Sequence, residues 1–286
     1  MRIAGAESNT AIGLAKLGHS ASFISNIGAD SFGKFMLRML RAEGVDTSGI
    51  NVLSDYPTGV MFKEVTPTDT MISYYRAGSA ASNLSPENLS TDSFKEARIF
   101  HFTGITPVLS ETCRDTIFHA IRLADQNDCK ISFDPNIRIK LWKGNDYTPL
   151  MKELAAEAHY LMLGLEEAGI LYGTDNIDEL TGILFTSDRL EALAIKNGAD
   201  GVWICDRNDS FFIPPYPCKL VDPVGAGDAF NAGFLSGILR DKPLDTAGKM
   251  GAIMGAHATE TRGDIEGMLT YQELRDIMNE VIPVTR

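Results

Sequence analysis

The stretch VDPVGAGDAF, Val221 to Phe230, sets a carboxylate, Asp228, inside a glycine-rich turn just ahead of an apolar run. Pro223 starts the turn, and Gly225 and Gly227 can take positive φ and admit a ligand against bare backbone. Phe230, Phe234, Leu235, Ile238 and Leu239 then recur at helical spacing. The free N–H groups at the start of such a helix make an anion site. A carboxylate in the same first turn can take a proton from a hydroxyl held beside a bound phosphate, which suits phosphoryl transfer to an alcohol. The helix N-terminus is expected to lower the pKa of Asp228. The same residues also describe an aspartate that merely caps a helix after a tight turn, and the run alone leaves both readings open.

Two arginines sit where a ligand would pass. Arg76 follows Tyr74 and Tyr75 at the end of a strand-like run, and Arg138 follows the turn Asp134-Pro135-Asn136. Such a pair suits a carboxylate on a sugar acid, which a guanidinium binds through charge-assisted hydrogen bonds; a solvated surface charge is the alternative for each. Tyr74 and Tyr75 alternate across a strand, so at most one faces a ligand. Asp134 and Asn136 serve equally well as turn formers. GADSFGKF, Gly28 to Phe35, matches a P-loop at every position but the last, where Phe35 replaces the magnesium-binding hydroxyl, so it reads as a strand-to-helix turn. Gly225-Ala226-Gly227 also begins like a dinucleotide fingerprint, but the third glycine would fall on Phe230, which leaves hydride transfer as a weaker alternative.

The elements that must position these residues alternate along the chain. ASFISNIG reads as a strand, and SFGKFMLRMLRAEG as a helix closed by Gly44. RIFHFTGI, KISFDPN, HYLMLG and GVWICDR are β-rich runs separated by segments with helical periodicity, among them ETCRDTIFHAIRLADQN and SDRLEALAIKNG. This pattern predicts an α/β fold with a parallel sheet covered on both faces. TGVMFKEV and TMISYYRAG, around a TPTD turn, predict a hairpin with no intervening helix. Without repeats or linker-like stretches, 1–286 reads as one domain carrying an inserted β-lid over 52–77. With 44% hydrophobic residues over 286 positions the chain can bury a core. A formal charge of −12 argues against a nucleic-acid or anionic-membrane surface. Cys113, Cys129, Cys205 and Cys218 have neither disulfide-framework nor zinc spacing, and neither a signal peptide nor a membrane span is evident, so a cytoplasmic protein is expected.

These motifs resemble those of the ribokinase, or PfkB, carbohydrate kinases. The resemblance runs along nearly the whole chain, through GAESNTAIGLAKLGHSASFISNIGADSFG near the start, VDPVGAGDAFNAGF late and RGDIEGM beyond it. It implies a ribokinase-like, mostly parallel sheet with a small β lid, Asp228 as catalytic base, and the backbone of Gly225, Ala226 and Gly227 as the anion hole. YYRAGSAASNLSPENL and FDPNIRIKLW are most similar to 2-keto-3-deoxygluconate kinases, which implies ATP-dependent phosphorylation of that sugar acid on its terminal primary hydroxyl. A neutral-sugar kinase such as a fructokinase, or a weakly catalytic ligand-binding remnant, is the alternative.

The resemblance further implies substrate roles for Gly5, Tyr74, Arg76, Ile105, Arg138 and Asp264. It places ATP near Asn136, Gly198, Gly201, Gly225, Gly227 and Ala252, the last standing where relatives often have an adenine-pocket Asn. Gly164 replaces the Asn of an N-x-x-E element whose acid, Glu167, is kept beside magnesium-bound water. Mg²⁺, a monovalent cation and a homodimer or higher oligomer clasped through its lids complete the expectation. Family members carry a core strand and two lid strands before the stretch matching AGAESN, which here starts at Ala4. Roughly 25 to 40 residues of the pattern are therefore expected to be missing, with an early acidic residue that holds sugar hydroxyls.

Overall fold

Short runs of β-branched and aliphatic residues form ten strands in the computed structural model, which describes residues 1–65 and 70–279. The strands are β1 (Ser25–Gly28), β2 (Ile50–Leu53), β3 (Val60–Val65), β4 (Thr70–Tyr75), β5 (Ile99–Thr103), β6 (Lys130–Asp134), β7 (Tyr160–Gly164), β8 (Ala192–Lys196), β9 (Val202–Cys205) and β10 (Ser210–Ile213). The helices are α1 (Ala6–Lys16), α2 (Ser31–Ala42), α3 (Asp92–Lys95), α4 (Glu111–Gln126), α5 (Ile139–Trp142), α6 (Thr148–Ala156), α7 (Leu165–Tyr172), α8 (Ile177–Leu184), α9 (Ala226–Leu239), α10 (Leu244–Ala258) and α11 (Tyr271–Met278).

Six strands form the central sheet in the order β10-β9-β8-β7-β6-β5. The pairs from β5 to β8 are parallel, while β9 and β10 run antiparallel at the far side. Strands β6, β7 and β8 are buried on both faces, as sheets covered by helices on each side require. Successive side chains part to opposite layers. Leu161, Leu163, Leu193 and Ile195 pack with Ile121 of α4, Leu154 of α6 and Leu180 of α8. Met162 and Ala194 pack instead with Phe234 and Leu235 of α9 and Ala247 of α10. A third cluster joins Ile12 and Leu17 of α1 to Met250 and Met254 of α10.

The expected α/β order holds, with one correction. SDRLEALAIKNG, read as helical, contains β8, a central strand between β7 and β9. Ala and Leu favour helices, but Ala192 to Ile195 are buried as a strand flanked by two others, and packing overrides that weak preference. β2, which the sequence reading did not identify, pairs in parallel with β1, and neither is bonded to the six-stranded sheet. The P-loop-like run is the expected turn between β1 and α2: Asp30 caps the helix, accepting the Gly33 N–H at 2.8 Å. Gly44 closes α2 at φ +84°. β3 and β4 form the antiparallel hairpin with Met61 opposite Tyr74 and Lys63 opposite Ile72. The expected TPTD turn lies outside the described residues.

Candidate active site

The carboxyl ends of β5 to β8 all open on one cavity of about 2760 Å³, where ligands gather in open α/β sheets. Its walls carry Ile105 after β5, Asn136 and Arg138 after β6, Glu167 after β7 and Gly198 after β8. Gly5, Tyr74, Arg76, Gly225, Gly227, Asp228 and Asp264 join them. Three sequence-predicted residues stand outside this lining: Ala226, half-buried as the first residue of α9, Gly201, which closes the turn that begins at Gly198, and Ala252, on α10. Gly201 has φ +98°, and a Cβ there would stand 2.5 Å from the Ile213 carbonyl, so close packing against β10 explains that glycine. The cavity also extends along β1 and β5, past Phe23, Ile27 and Phe100.

Asp228 lies in the first turn of α9 and is 8% exposed. Its Oδ2 accepts the Asn9 Nδ2–H at 2.8 Å, and the same amide reaches Asp264 Oδ2 at 3.3 Å. Asn9 thus spans two acids, while its own Oδ1 is buried without a partner. Burial raises the Asp228 pKa to about 7; Asn9 pulls the other way, and the nearby Asp134 and Asp264 charges add to the rise. The helix terminus was expected to lower it. Desolvation wins because the carboxylate is shut away from water among other acids, whereas the helix end contributes only partial charges.

The turn itself has the shape an anion needs. Gly225 adopts φ +88°, and a Cβ there would stand 2.5 Å from the Asp264 carbonyl, so only glycine fits. The Ala226 N–H turns back on the Pro223 carbonyl at 3.3 Å. The N–H groups of Gly225, Gly227 and Asp228 have no hydrogen-bond partner among the described residues. The free donors thus share Gly225 and Gly227 with the expected trio and have Asp228 in place of Ala226.

A buried network supports the turn from below. Asp134, 1% exposed at the end of β6, accepts from Lys196 Nζ at 2.9 Å and from Asn231 Nδ2 at 2.6 Å. Burial opposes its ionisation, but the Lys196 ammonium outweighs this and holds its pKa below the usual carboxylate value. Glu167 accepts the Gly164 and Ile137 N–H groups at 2.8 and 2.6 Å, and burial followed by Asp134 repulsion pushes its pKa up. Glu7 accepts the Thr103 and Thr106 hydroxyls at 2.7 and 2.8 Å. On the β3–β4 hairpin, Lys63 forms an ion pair with Asp222, which opens the turn. Asn9, Lys196, Asn231, Glu7 and Lys63 were not singled out in the sequence.

Across the cavity, Arg76 stacks on Tyr74 at 4.5 Å, and its Nε and Nη2 are buried without a partner. Desolvation lowers its pKa. Arg138 bonds only the Ile137 carbonyl, at 3.2 Å, and joins no ion pair among the described residues. Tyr75 turns outward against Phe62, as the alternation along β4 requires.

A helix terminus with free N–H donors and a buried carboxylate in its first turn, at the carboxyl edge of an α/β sheet, suits a phosphotransferase acting on an alcohol. Residues 1–270 match the model of the pfkB family carbohydrate kinases, and the chain belongs to that family: it is a carbohydrate kinase. It is 34% identical over 281 residues, 97% of this chain and 86% of the relative, to the 2-dehydro-3-deoxygluconokinase of Bacillus subtilis. With probable fructokinase-4 of Arabidopsis thaliana it shares 27% identity over 96% of this chain and 86% of that one. Among solved structures, a putative ribokinase II of E. coli in complex with ATP and Mg²⁺ is similar with a TM-score of 0.89 and 26% identity, over 98% of this chain and 89% of that one.

Proposed function

We propose that the chain transfers the γ-phosphoryl group of ATP to the terminal primary hydroxyl of 2-keto-3-deoxygluconate, also called 2-dehydro-3-deoxygluconate. The observation that carries this reading is the unpaired arginine pair. In a chain of net charge −12, Arg76 and Arg138 reach the cavity with no acidic partner among the described residues. The Nε and Nη2 of Arg76 are buried without an acceptor, which is costly, and a substrate carboxylate answers that cost; Arg138 is exposed, lines the same cavity and can reach the same carboxylate. Tyr74, Gly5, Ile105 and Asp264 complete the sugar side in this reading, with the Asn9 Oδ1 free for a sugar hydroxyl.

The chemistry then follows from the turn. As the substrate oxygen attacks phosphorus, its proton passes to the Asp228 carboxylate, the bond from phosphorus to the bridging oxygen breaks, and ADP leaves with that electron pair. The N–H groups of Gly225, Gly227 and Asp228 meet the charge on the moving group. Asn136 and Gly198 mark the nucleotide side of the cavity, with Gly201 and Ala252 outside its lining. Glu167 is the acid assigned to magnesium, and no cluster of three or more metal-ligating side chains occurs among the described residues. Such a sparse donor set fits a hydrated ion carried on the nucleotide phosphates, which Glu167 would hold through water and which would neutralise phosphate charge.

Because the proton-accepting form of Asp228 is the ionised one, activity should rise with pH along a limb centred near 7. A kcat/KM profile for the sugar acid from pH 5 to 9 checks this, and a flat profile across that range would remove Asp228 from the base role. Substrate class is tested by measuring ADP production with a panel of sugar acids and neutral sugars; faster turnover of fructose than of the sugar acid would favour the fructokinase reading.

We also infer a homodimer clasped through the lids. The outer face of the hairpin exposes Phe62, Met71 and Tyr75 by 66%, 52% and 64%, a concentration of large apolar side chains that a partner would cover. Phe62→Glu should convert a sedimenting dimer to monomer at micromolar concentration. Equal masses for the two proteins would place the contact elsewhere.

A further inference from the structure

The residues assigned so far leave the moving phosphoryl group facing acids. Asp228, Asp134 and Glu167 all border the same part of the cavity as the α9 turn, and an incoming triphosphate would be repelled by each. Arg76 and Arg138 belong to the sugar side, and Lys63 is spent on Asp222. Two other lysines, Lys140 and Lys196, line the cavity, and of these Lys196 is the one bonded to an acid of this group. Lys196 is the last residue of β8, in register with Gly164 on one side and Val202 on the other. Its side chain crosses the sheet's carboxyl edge to Asp134 at 2.9 Å and Asn231 at 3.4 Å, and it lines the cavity.

The ammonium also faces the turn. A Cβ built on Gly227 would have Lys196 Nζ as its nearest neighbour, at 3.9 Å, with nothing else within 4 Å. No side chain therefore stands between the ammonium and the first turn of α9. Lys196 pulls down the pKa of Asp228 and of Glu167 as well as that of Asp134, which places its charge among all three. Asp134 and Asn231 account for two of its three N–H donors. If its role were only to neutralise Asp134, a buried ion pair would be an expensive substitute for an apolar pair, and nothing would require it to open on the cavity.

We propose that Lys196 is a further catalytic residue, whose ammonium contacts the γ-phosphoryl group of ATP and stays with it as it passes over the Gly227 amide to the sugar. The assignment rests on the phosphoryl-transfer reading above but not on which sugar is the acceptor. Asp134 and Asn231 then act as positioning residues that hold the ammonium in place. Asp228 gains from the same contact, because a cation beside the phosphoryl oxygens offsets their repulsion of the ionised carboxylate that must accept the proton.

The test uses Lys196→Met, paired with Lys196→Met/Asp134→Asn so that no unpartnered carboxylate is left buried, and Lys196→Arg as the conservative variant. Thermal melts first establish that each is folded. Calorimetric titration then compares ADP with the β,γ-imido analogue of ATP, and single turnovers are measured on whichever sugar the wild-type protein phosphorylates. The expected result is that the double variant binds the imido analogue at least about 10-fold more weakly while ADP affinity changes less than about 3-fold, that turnover falls by about 10²–10³, and that Arg restores part of both. Equal losses for ADP and the imido analogue, or unchanged turnover in the double variant, would overturn the proposal and leave Lys196 a structural counter-ion. The binding comparison stands even if the sugar assignment fails, so the two readings fall separately.

Discussion

Asp228→Asn is expected to lower kcat by about 10²–10⁴ while leaving ATP binding intact, and at the same time to make the protein more stable at pH 8. The first effect follows from losing proton acceptance in a side chain of almost unchanged shape, which can still take the Asn9 amide as a donor. The second follows from burial. With a native pKa of about 7 and an unfolded value near 4, the folded protein holds a proton that the unfolded chain has released between those pH values. Native stability therefore falls as pH rises from about 4 to 7 and is flat beyond. A neutral Asn escapes that loss, which for a shift of about three units is on the order of 2–4 kcal/mol above pH 7. Denaturant titrations of both proteins at pH 4.5 and pH 8, alongside kcat, read both effects. A variant that is inactive but no more stable at pH 8 than at pH 4.5, relative to wild type, would show that the carboxylate is better solvated than its surroundings indicate.

The second large effect is expected at the arginines. Arg76→Ala or Arg138→Ala should each cost about 1.5–3 kcal/mol in kcat/KM for the sugar acid, roughly 10- to 150-fold, and little for a neutral sugar. The contrast between substrates matters more than either loss, because Arg76 also packs on Tyr74 and its removal disturbs the lid. Arg76→Lys keeps the charge but not the planar fork and should recover only part of the loss. If acid and neutral sugars suffer alike, the arginines support the lid rather than read the carboxylate.

Much of this site was legible because its chemistry is concentrated in short runs. Asp228 declares itself by standing in a glycine turn ahead of an apolar stripe, and Tyr74 and Arg76 by their period-two spacing at a strand end. What stayed hidden depends on contacts between distant segments. Asn9 sits among three consecutive polar residues, Ser8, Asn9 and Thr10, each 1% exposed within an otherwise small and apolar helix. That oddity was a readable signal, but its partner, Asp228, lies 219 positions away. Asn231 follows Asp228 at i+3 and therefore shares its helix face, a second signal within reach. Lys196 was lost with β8, since a run read as helix cannot place its last residue at a sheet's carboxyl edge. The pKa of Asp228 was misjudged for a related reason: the helix end is local and visible, whereas the burial that raises it, with Asp134 and Asp264 adding to the rise, comes only through the fold.

The hairpin β3–β4 carries two cations with different obligations. Lys63 is bound to the protein's own Asp222, and both side chains are largely withdrawn from solvent, so swinging the hairpin outward must separate that pair whether or not sugar is present. Asp222 would keep the Val224 and Gly263 N–H groups at 3.2 and 3.4 Å and so remain ionised. On the proposed reading, Arg76 holds on only when the carboxylate of a sugar acid lies beneath it. The resting molecule thus pays a fixed toll to admit any sugar, and an anionic sugar adds a second grip that a neutral one lacks. On that reading, residence time, more than affinity alone, is where the two kinds of sugar part company: a phosphorylated acid departs through the gate by which it entered, against both attachments.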